Sequence, residues 1–145
     1  MEHEILFNEY LSEAQWHALR ALVDCIIPAD DYPSGWQAGV GDYLQRQFGR
    51  DLAHVVDLYR QGLTALDAEA QAQFGQSFAT LSPNTQANLL FMLEASHVRT
   101  AWPLDPASFL KMAVDHAHEG YYSDPGNGGN RASIAWQMIG YEITG

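Results

Sequence analysis

The clearest prediction of the fold comes from the stretch Ser12-Glu-Ala-Gln-Trp-His-Ala-Leu-Arg-Ala-Leu-Val-Asp-Cys-Ile-Ile-Pro28. Ser12 can cap a helix, and Gln15 stands at the third helical position, where it completes a capping box. The apolar residues that follow recur at intervals of three and four, as on one face of a helix: Leu19, Leu22, Val23, Ile26 and Ile27. Pro28 ends the run, because proline lacks the N–H and clashes with the preceding turn. The stretch therefore predicts an amphipathic helix.

Helical spacing continues along the rest of the chain. A short apolar stripe includes Val40, Tyr43, Leu44 and Phe48, and a longer one runs over 52–66 to a predicted end near Gly75. Two further helices are predicted to begin at Ser82-Pro83 and at Asp105-Pro106, where an N-cap residue precedes a proline in the first helical position. The last of these helices is predicted to stop at Gly120.

The fold class follows from this periodicity. No segment alternates apolar and polar residues with β-branched enrichment, so no sheet is expected. A length of 145 residues without a linker or repeat suits one domain. We therefore predict an all-α fold: a single compact helical domain over residues 1–145, with about five to six helices and a Gly/Asn-rich C-terminal loop.

The charge balance narrows the classes of partner. Seven Lys and Arg against 18 Asp and Glu give a formal net charge of −11. Nucleic acid and anionic lipid surfaces would be repelled at long range, so neither is expected to bind. No apolar stretch approaches the roughly 20 residues of a spanning helix, so direct membrane insertion is not expected either.

Two carboxylate–histidine pairs suggest an alternative function. Glu94 with His97, and Asp115 with His118, stand three residues apart, which would place each pair on one helix face as in di-iron bundles. A complete site also needs carboxylates from two further helices, and no matching pattern supplies them. The alternative interpretation is a free-standing helical metalloprotein; the favoured one assigns these residues to exposed or helix-terminal positions.

Other catalytic patterns are incomplete. The glycine run 126–130 follows no strand and lacks the Lys and Ser/Thr of a phosphate-binding loop. The serines lack the context of a nucleophile elbow. Cys25, the single cysteine, has apolar neighbours and no nearby base, so it is predicted to pack rather than react. We expect no catalytic, cofactor-binding or metal-binding residue in this chain.

The C-terminal stretch from Gly120 to Tyr141 has an unusual composition. It joins Tyr121 and Tyr122 to Ser-Asp-Pro-Gly-Asn-Gly-Gly-Asn-Arg and then to an apolar segment that contains Trp136. The glycines and asparagines permit backbone angles closed to most residues, so a shaped surface loop is predicted over 124–130. We expect Asp124 or Asn130 to bond back to backbone amides there.

Together with an earlier block, this stretch carries a family resemblance. The earlier block is Asp-Cys-Ile-Ile-Pro-Ala-Asp-Asp-Tyr-Pro at 24–33, followed by Gly35, Ala38, Gly39, Val40 and Tyr43. The chain resembles the gluconate 2-dehydrogenase subunit 3 family from Leu11 to Tyr141. Members of this family are small helical partners of flavin-dependent sugar and polyol dehydrogenases of the glucose-methanol-choline type.

The resemblance implies a non-catalytic accessory subunit that binds and stabilises such a dehydrogenase, with FAD in the partner and no cofactor in this chain. Large aromatic side chains with a polar tip suit protein contact surfaces. The predicted partner-binding residues are therefore those in or beside the two blocks: Trp36, Tyr121, Tyr122, Asp124, Asn130 and Trp136. The aromatic residues could instead fill the core of the domain at the loop ends, although the turn around Trp36 favours the surface.

The resemblance also bears on the compartment. Many members of the family begin with a twin-arginine export signal, whereas residues 1–10 contain no arginine pair and no apolar run. The expectation is a cytoplasmic protein as given, or a periplasmic one if a signal was removed or if the partner supplies one.

Overall fold

The computed structural model describes residues 10–122, which fold into α1 Glu13–Ile26, α2 Val40–Phe48, α3 Val56–Phe74, α4 Pro83–Glu94 and α5 Pro106–Tyr121. Short 3₁₀ turns, Ala53–Val55 and Phe78–Thr80, precede α3 and α4. No strand occurs over 10–122. The prediction of an all-α fold is confirmed, and five helices lie in the described part of the chain.

The predicted N-caps are confirmed. Ser12 Oγ accepts a hydrogen bond from the Gln15 N–H at 3.1 Å, and Gln15 Oε1 accepts one from the Ser12 N–H at 2.8 Å. Ser82 and Asp105 also cap their helices through their side chains. Gln15 Nε2 in addition donates to Thr64 Oγ1 on α3 at 3.1 Å. The start of α1 is thus attached to a neighbouring helix as well as capped.

The predicted helix ends are correct at Gly75 and wrong at Gly120. Gly75 caps α3 with a left-handed φ of 72°. Gly120 instead lies within the last turn of α5, which continues to Tyr121. A Cβ at position 120 would come within 2.7 Å of the Tyr43 ring. The glycine is needed there for the close approach of α5 to α2 rather than for a turn.

One apolar core joins the helices. Helix α1 packs against α3, α4 and α5, and α5 also packs against α2, α3 and α4. The largest fully buried side chains come from every helix and several connections: Tyr59, Tyr121, Phe48, Phe78, Phe109, Leu11, Leu19, Leu22, Leu44, Leu63, Leu66 and Leu89. The prediction that all of residues 1–145 form a single domain extends beyond the described residues and stays a prediction.

The helices have polar as well as apolar sides. The longest, α3, has 19 residues and carries polar side chains along one side. Within residues 10–122, no helix combines the length and the hydropathy needed to cross a membrane.

The closest contact between α3 and α5 depends on Gly62. A Cβ at this buried position would lie 2.2 Å from Phe109 Cε1. The Phe109 ring is itself buried and packs edge-on against Tyr59, with 6.0 Å between the ring centroids. Because the ring is confined on both sides, it has little room to yield. Glycine at position 62 therefore sets the distance between the two helices.

We expect Gly62→Ala to destabilise the protein. Alanine favours the helix by about 1 kcal/mol. Overpacking against a confined ring costs about 1–3 kcal/mol, so the free energy of unfolding should fall by about 1 kcal/mol. Thermal and urea unfolding measure the change. Gln61→Ala, at the exposed neighbouring position, is the control and should unfold like the parent. A Gly62→Ala variant that is as stable as the parent would contradict the packing argument.

Candidate functional site

The loop after α1 meets the C-terminal end of α5. Tyr121 Oη donates a hydrogen bond to the Pro33 carbonyl at 2.9 Å, and Gly120 lies against the Tyr43 ring. The two sequence blocks that carry the family resemblance therefore touch each other at their described ends. The Tyr122 ring packs edge-on against Tyr121, with 5.3 Å between centroids. We name this meeting point, with Tyr43, Tyr121 and Tyr122, the aromatic junction.

Trp36 lies in the loop after α1 and is half-buried. Its backbone N–H donates to Asp24 Oδ1 at 2.9 Å. Its ring packs edge-on against Trp16, with 5.7 Å between centroids. The turn around Trp36 favoured the surface, whereas the structure shows that the ring is shared between the core and the surface. Its role as a partner contact stays a prediction.

Tyr121 and Tyr122 differ in burial. Tyr121 is fully buried, and this burial raises the pKa of its hydroxyl to about 12. The hydroxyl therefore stays protonated and donates to Pro33. Tyr121 packs in the core of this domain, and its role as a partner contact stays a prediction. Tyr122 is half-buried and stacks on His118 at 6.2 Å, so a contact with a partner remains a prediction there.

The other three predicted partner-binding residues are Asp124, Asn130 and Trp136. They lie outside the described residues, as does the shaped loop predicted over 124–130.

The alternative metal set is not assembled. All four of its side chains are exposed, and within residues 10–122 no three His, Cys, Asp or Glu side chains are grouped to hold a metal. Glu94 and His97 do not share a helix face, because α4 ends at Glu94 and Ser96 takes a left-handed φ of 58°. The His97 N–H closes this end by donating to the Met92 carbonyl at 2.8 Å. Asp115 pairs with Lys111 at 3.0 Å.

Cys25 is a packing residue in this structure. Its Sγ lies 3.4 Å from Gln86 Oε1, to which it donates. Burial, with a smaller contribution from the Asp24 charge, raises the pKa of the thiol to about 11. A thiol with such a pKa is almost entirely protonated at neutral pH and is a poor nucleophile. The prediction made from its apolar neighbours agrees with this environment.

The most elaborate polar site was not found from the sequence. Glu69 lies in the middle of α3 with no exposed surface. Its carboxylate accepts hydrogen bonds from the N–H of Arg99 at 2.7 Å and from the N–H of Thr100 at 3.1 Å. It also accepts from the Thr100 hydroxyl, from Trp102 Nε1 at 3.2 Å and from Gln73 Nε2 at 2.6 Å. One carboxylate thus holds the whole connection over 99–102, which we name the Glu69-bound turn.

The electrostatics of Glu69 result from two opposed effects. Burial alone would raise the pKa of the carboxyl, but the hydrogen bonds from Thr100, Arg99, Gln73 and Trp102 outweigh it and lower the pKa to about 2. No cation is among these donors, so backbone and side-chain dipoles alone stabilise the charge. The carboxylate is saturated with donors from its own chain, and it therefore serves the fold.

No local signal in the sequence could have identified this site. Glu69 is 30 residues from Arg99 and 33 from Trp102. The only hint is that Glu69 takes a position in the apolar register of α3, next to Ala70 and three residues after Leu66. A glutamate in that register suits an exposed helix face as well as a buried one.

The described residues define a small all-helical protein whose buried polar groups, such as Glu69 and Gln86, are bonded within the chain. The family model described as Gluconate 2-dehydrogenase subunit 3 matches residues 13–143. Neither a curated protein nor a solved structure gives a significant match. Because the family match covers most of the 145 residues, the chain belongs to the gluconate 2-dehydrogenase subunit 3 family.

Glu69→Gln is expected to lower the free energy of unfolding at neutral pH by about 2 kcal/mol or more, since an amide cannot accept from all of these donors. The folded pKa of about 2 lies below the reference value of 4.5. The stabilisation is therefore complete above about pH 4.5 and is lost as the pH falls towards 2.

Urea unfolding of the parent and the variant at about pH 7, 4 and 3 tests this pH dependence. The difference in stability should narrow as the pH falls. Glu94→Gln, which changes an exposed carboxylate, is the control and should match the parent throughout. A difference for Glu69→Gln that stays constant from pH 7 to pH 3 would show that the charge of Glu69 is not what stabilises the turn.

Proposed function

We propose that this chain is a non-catalytic small subunit that binds and stabilises a flavin-dependent sugar or polyol dehydrogenase. The observation that carries the proposal is the match over residues 13–143 to a family whose description names a gluconate 2-dehydrogenase subunit. In this proposal FAD is held by the partner, and the chemistry takes place there. This chain contributes a contact surface and no catalytic residue.

Several titratable side chains are bonded within the domain, which supports a structural rather than a catalytic role for this chain. The Glu69 carboxylate is saturated within the chain. Asp67 Oδ1 accepts from the Phe78 N–H at 2.9 Å and so fixes the 3₁₀ turn before α4. Tyr59 Oη lies 2.8 Å from His116 Nδ1, and burial lowers the pKa of this histidine. His116 is therefore neutral near pH 7, and its Nδ1 can accept a hydrogen bond from the Tyr59 hydroxyl. Groups that could act as acids or bases hold the helices together.

Co-expression with the flavin-dependent dehydrogenase subunit from the same source tests the proposal. We expect the two chains to elute together in size exclusion, and the flavoprotein to give a higher folded yield and a higher melting temperature when this chain is present. A partner that binds only the folded state stabilises it by mass action. Dye reduction per bound flavin should be the same for the complex and for any free flavoprotein recovered from it.

Two results would overturn the proposal. One is a flavoprotein that folds and turns over equally well with no trace of this chain bound. The other is turnover per flavin that disappears when this chain is removed and returns when it is added back, since this chain would then supply part of the active site. Flavin absorbance gives the amount of cofactor in each fraction, so loss of activity can be separated from loss of FAD.

A further inference from the structure

Helix α4 has more apolar surface than its own domain covers. Its residues 89–93 read Leu-Leu-Phe-Met-Leu. Five consecutive residues pass around the full circumference of a helix with 3.6 residues per turn. Leu89 and Leu93 are fully buried, Leu90 and Met92 are half-buried, and Phe91 is 69% exposed. A helix that is apolar on all sides is normally enclosed by other structure, but α4 has one open side.

Two grooves lie beside the end of α4, one lined by Phe91 and the other by the neighbouring Met92. One has a volume of about 180 Å³ and is lined by Cys25, Ala87, Leu90, Phe91, Glu94 and Leu110. The other, of about 580 Å³, is lined by Gln73, Met92, Ser96, His97, Val98 and Arg99. We name Phe91 together with these two grooves the Phe91 ridge. Phe91 is far more exposed than the other exposed large hydrophobic residues of the described chain, Leu58 at 39% and Phe74 at 38%.

A positively charged residue, Arg99, lines the larger groove. Arg99 belongs to the Glu69-bound turn, which holds its backbone N–H at 2.7 Å. Its side chain is exposed and forms no ion pair within residues 10–122, whereas Arg60 and Lys111 are paired with aspartates. Because the backbone is held, the guanidinium loses less conformational freedom when it binds a carboxylate, which it can do through two hydrogen bonds.

We infer that the Phe91 ridge is the face on which the dehydrogenase subunit docks, an inference that rests on the proposed function. The partner presents a segment with large apolar side chains, which fill the groove beside Phe91 and the groove beside Met92, and a carboxylate that pairs with Arg99. The charge of the chain favours a different protein over a second copy, because two chains with a net charge of −11 repel each other. The apolar ridge supplies the affinity, and Arg99 supplies the orientation.

Affinity measurements with the full-length chain and the flavin-dependent dehydrogenase subunit from the same source test the inference. Truncation of a central aromatic anchor commonly weakens binding roughly thirtyfold or more, so this is expected for Phe91→Ala. Arg99→Glu should weaken binding at least about tenfold at low salt and less at high salt, because it places two negative charges together. Leu58→Ala and Arg50→Glu change exposed residues away from the ridge and are the matched controls. All four variants should keep the melting temperature of the parent.

A probe at Asn88 reports on the same face without removing the anchor. Asn88 is exposed one turn before Phe91 on α4. In a Cys25→Ala background, Asn88→Cys should react rapidly with N-ethylmaleimide in the isolated chain and at least about tenfold more slowly in the complex. Slow labelling of the isolated chain would mean that other residues of this chain, or a second copy, cover the ridge. Size exclusion separates these two cases, and either one overturns the inference.

The remaining outcomes distinguish the inference from the function on which it rests. If Phe91→Ala binds like the parent while Tyr122→Ala binds weakly, the partner docks on the aromatic junction; the inference is then wrong and the subunit function stands. Rapid labelling at position 88 in both states leads to the same conclusion. If the parent chain forms no complex at all, the subunit function is wrong, and the inference is wrong with it.

Discussion

The buried carboxylate of Glu69 is the interaction on which the arrangement of the later helices depends. An ionised side chain without exposed surface is stable only when its oxygens are fully bonded. Here all the donors come from Gln73 and from the turn over 99–102. This requirement draws the connection between α4 and α5 against α3, and α5 begins only four residues after the turn, at Pro106. Through α5, Glu69 also influences the position of Phe109, Gly120 and Tyr121.

Much of the fold could be predicted because its signals are local. The capping box of Ser12 and Gln15, and the caps before Pro83 and Pro106, each depend on residues three positions apart, so the sequence displays the whole interaction. The Glu69-bound turn joins residues about 30 positions apart and has no such signal. The prediction that Glu94 and His97 share a helix face was wrong for a similar reason. The helix ends at Glu94 because Ser96 takes a left-handed backbone, which is uncommon for residues other than glycine.

The candidate site could be predicted less well than the fold, since aromatic residues serve cores and interfaces equally. Tyr121 and Tyr122 are adjacent in sequence, yet one is buried and the other half-buried. Their position at the end of a helix does not predict which of the two side chains is buried. Phe91 was not singled out because it lies within an apolar run, and a run of this kind normally indicates a buried helix. Its exposure became visible only when the neighbouring helices were in place. The two blocks of the family resemblance do meet. Their described residues contact each other, as Tyr121 does Pro33 and Gly120 does Tyr43.

The hydrogen bond from Tyr121 to Pro33 spans 88 residues of sequence. This bond cannot form until both residues have been synthesised, so it limits the order in which the contacts of this domain form on the ribosome. The loop after α1 has no covering helix until α5 has been synthesised, which takes roughly 4–18 s at the usual rate of about 5–20 residues per second. The contacts of α1 and α2 with α5 cannot form before then, although α1 can already pack against α3 and α4. Completion of the aromatic junction is therefore a late step of synthesis.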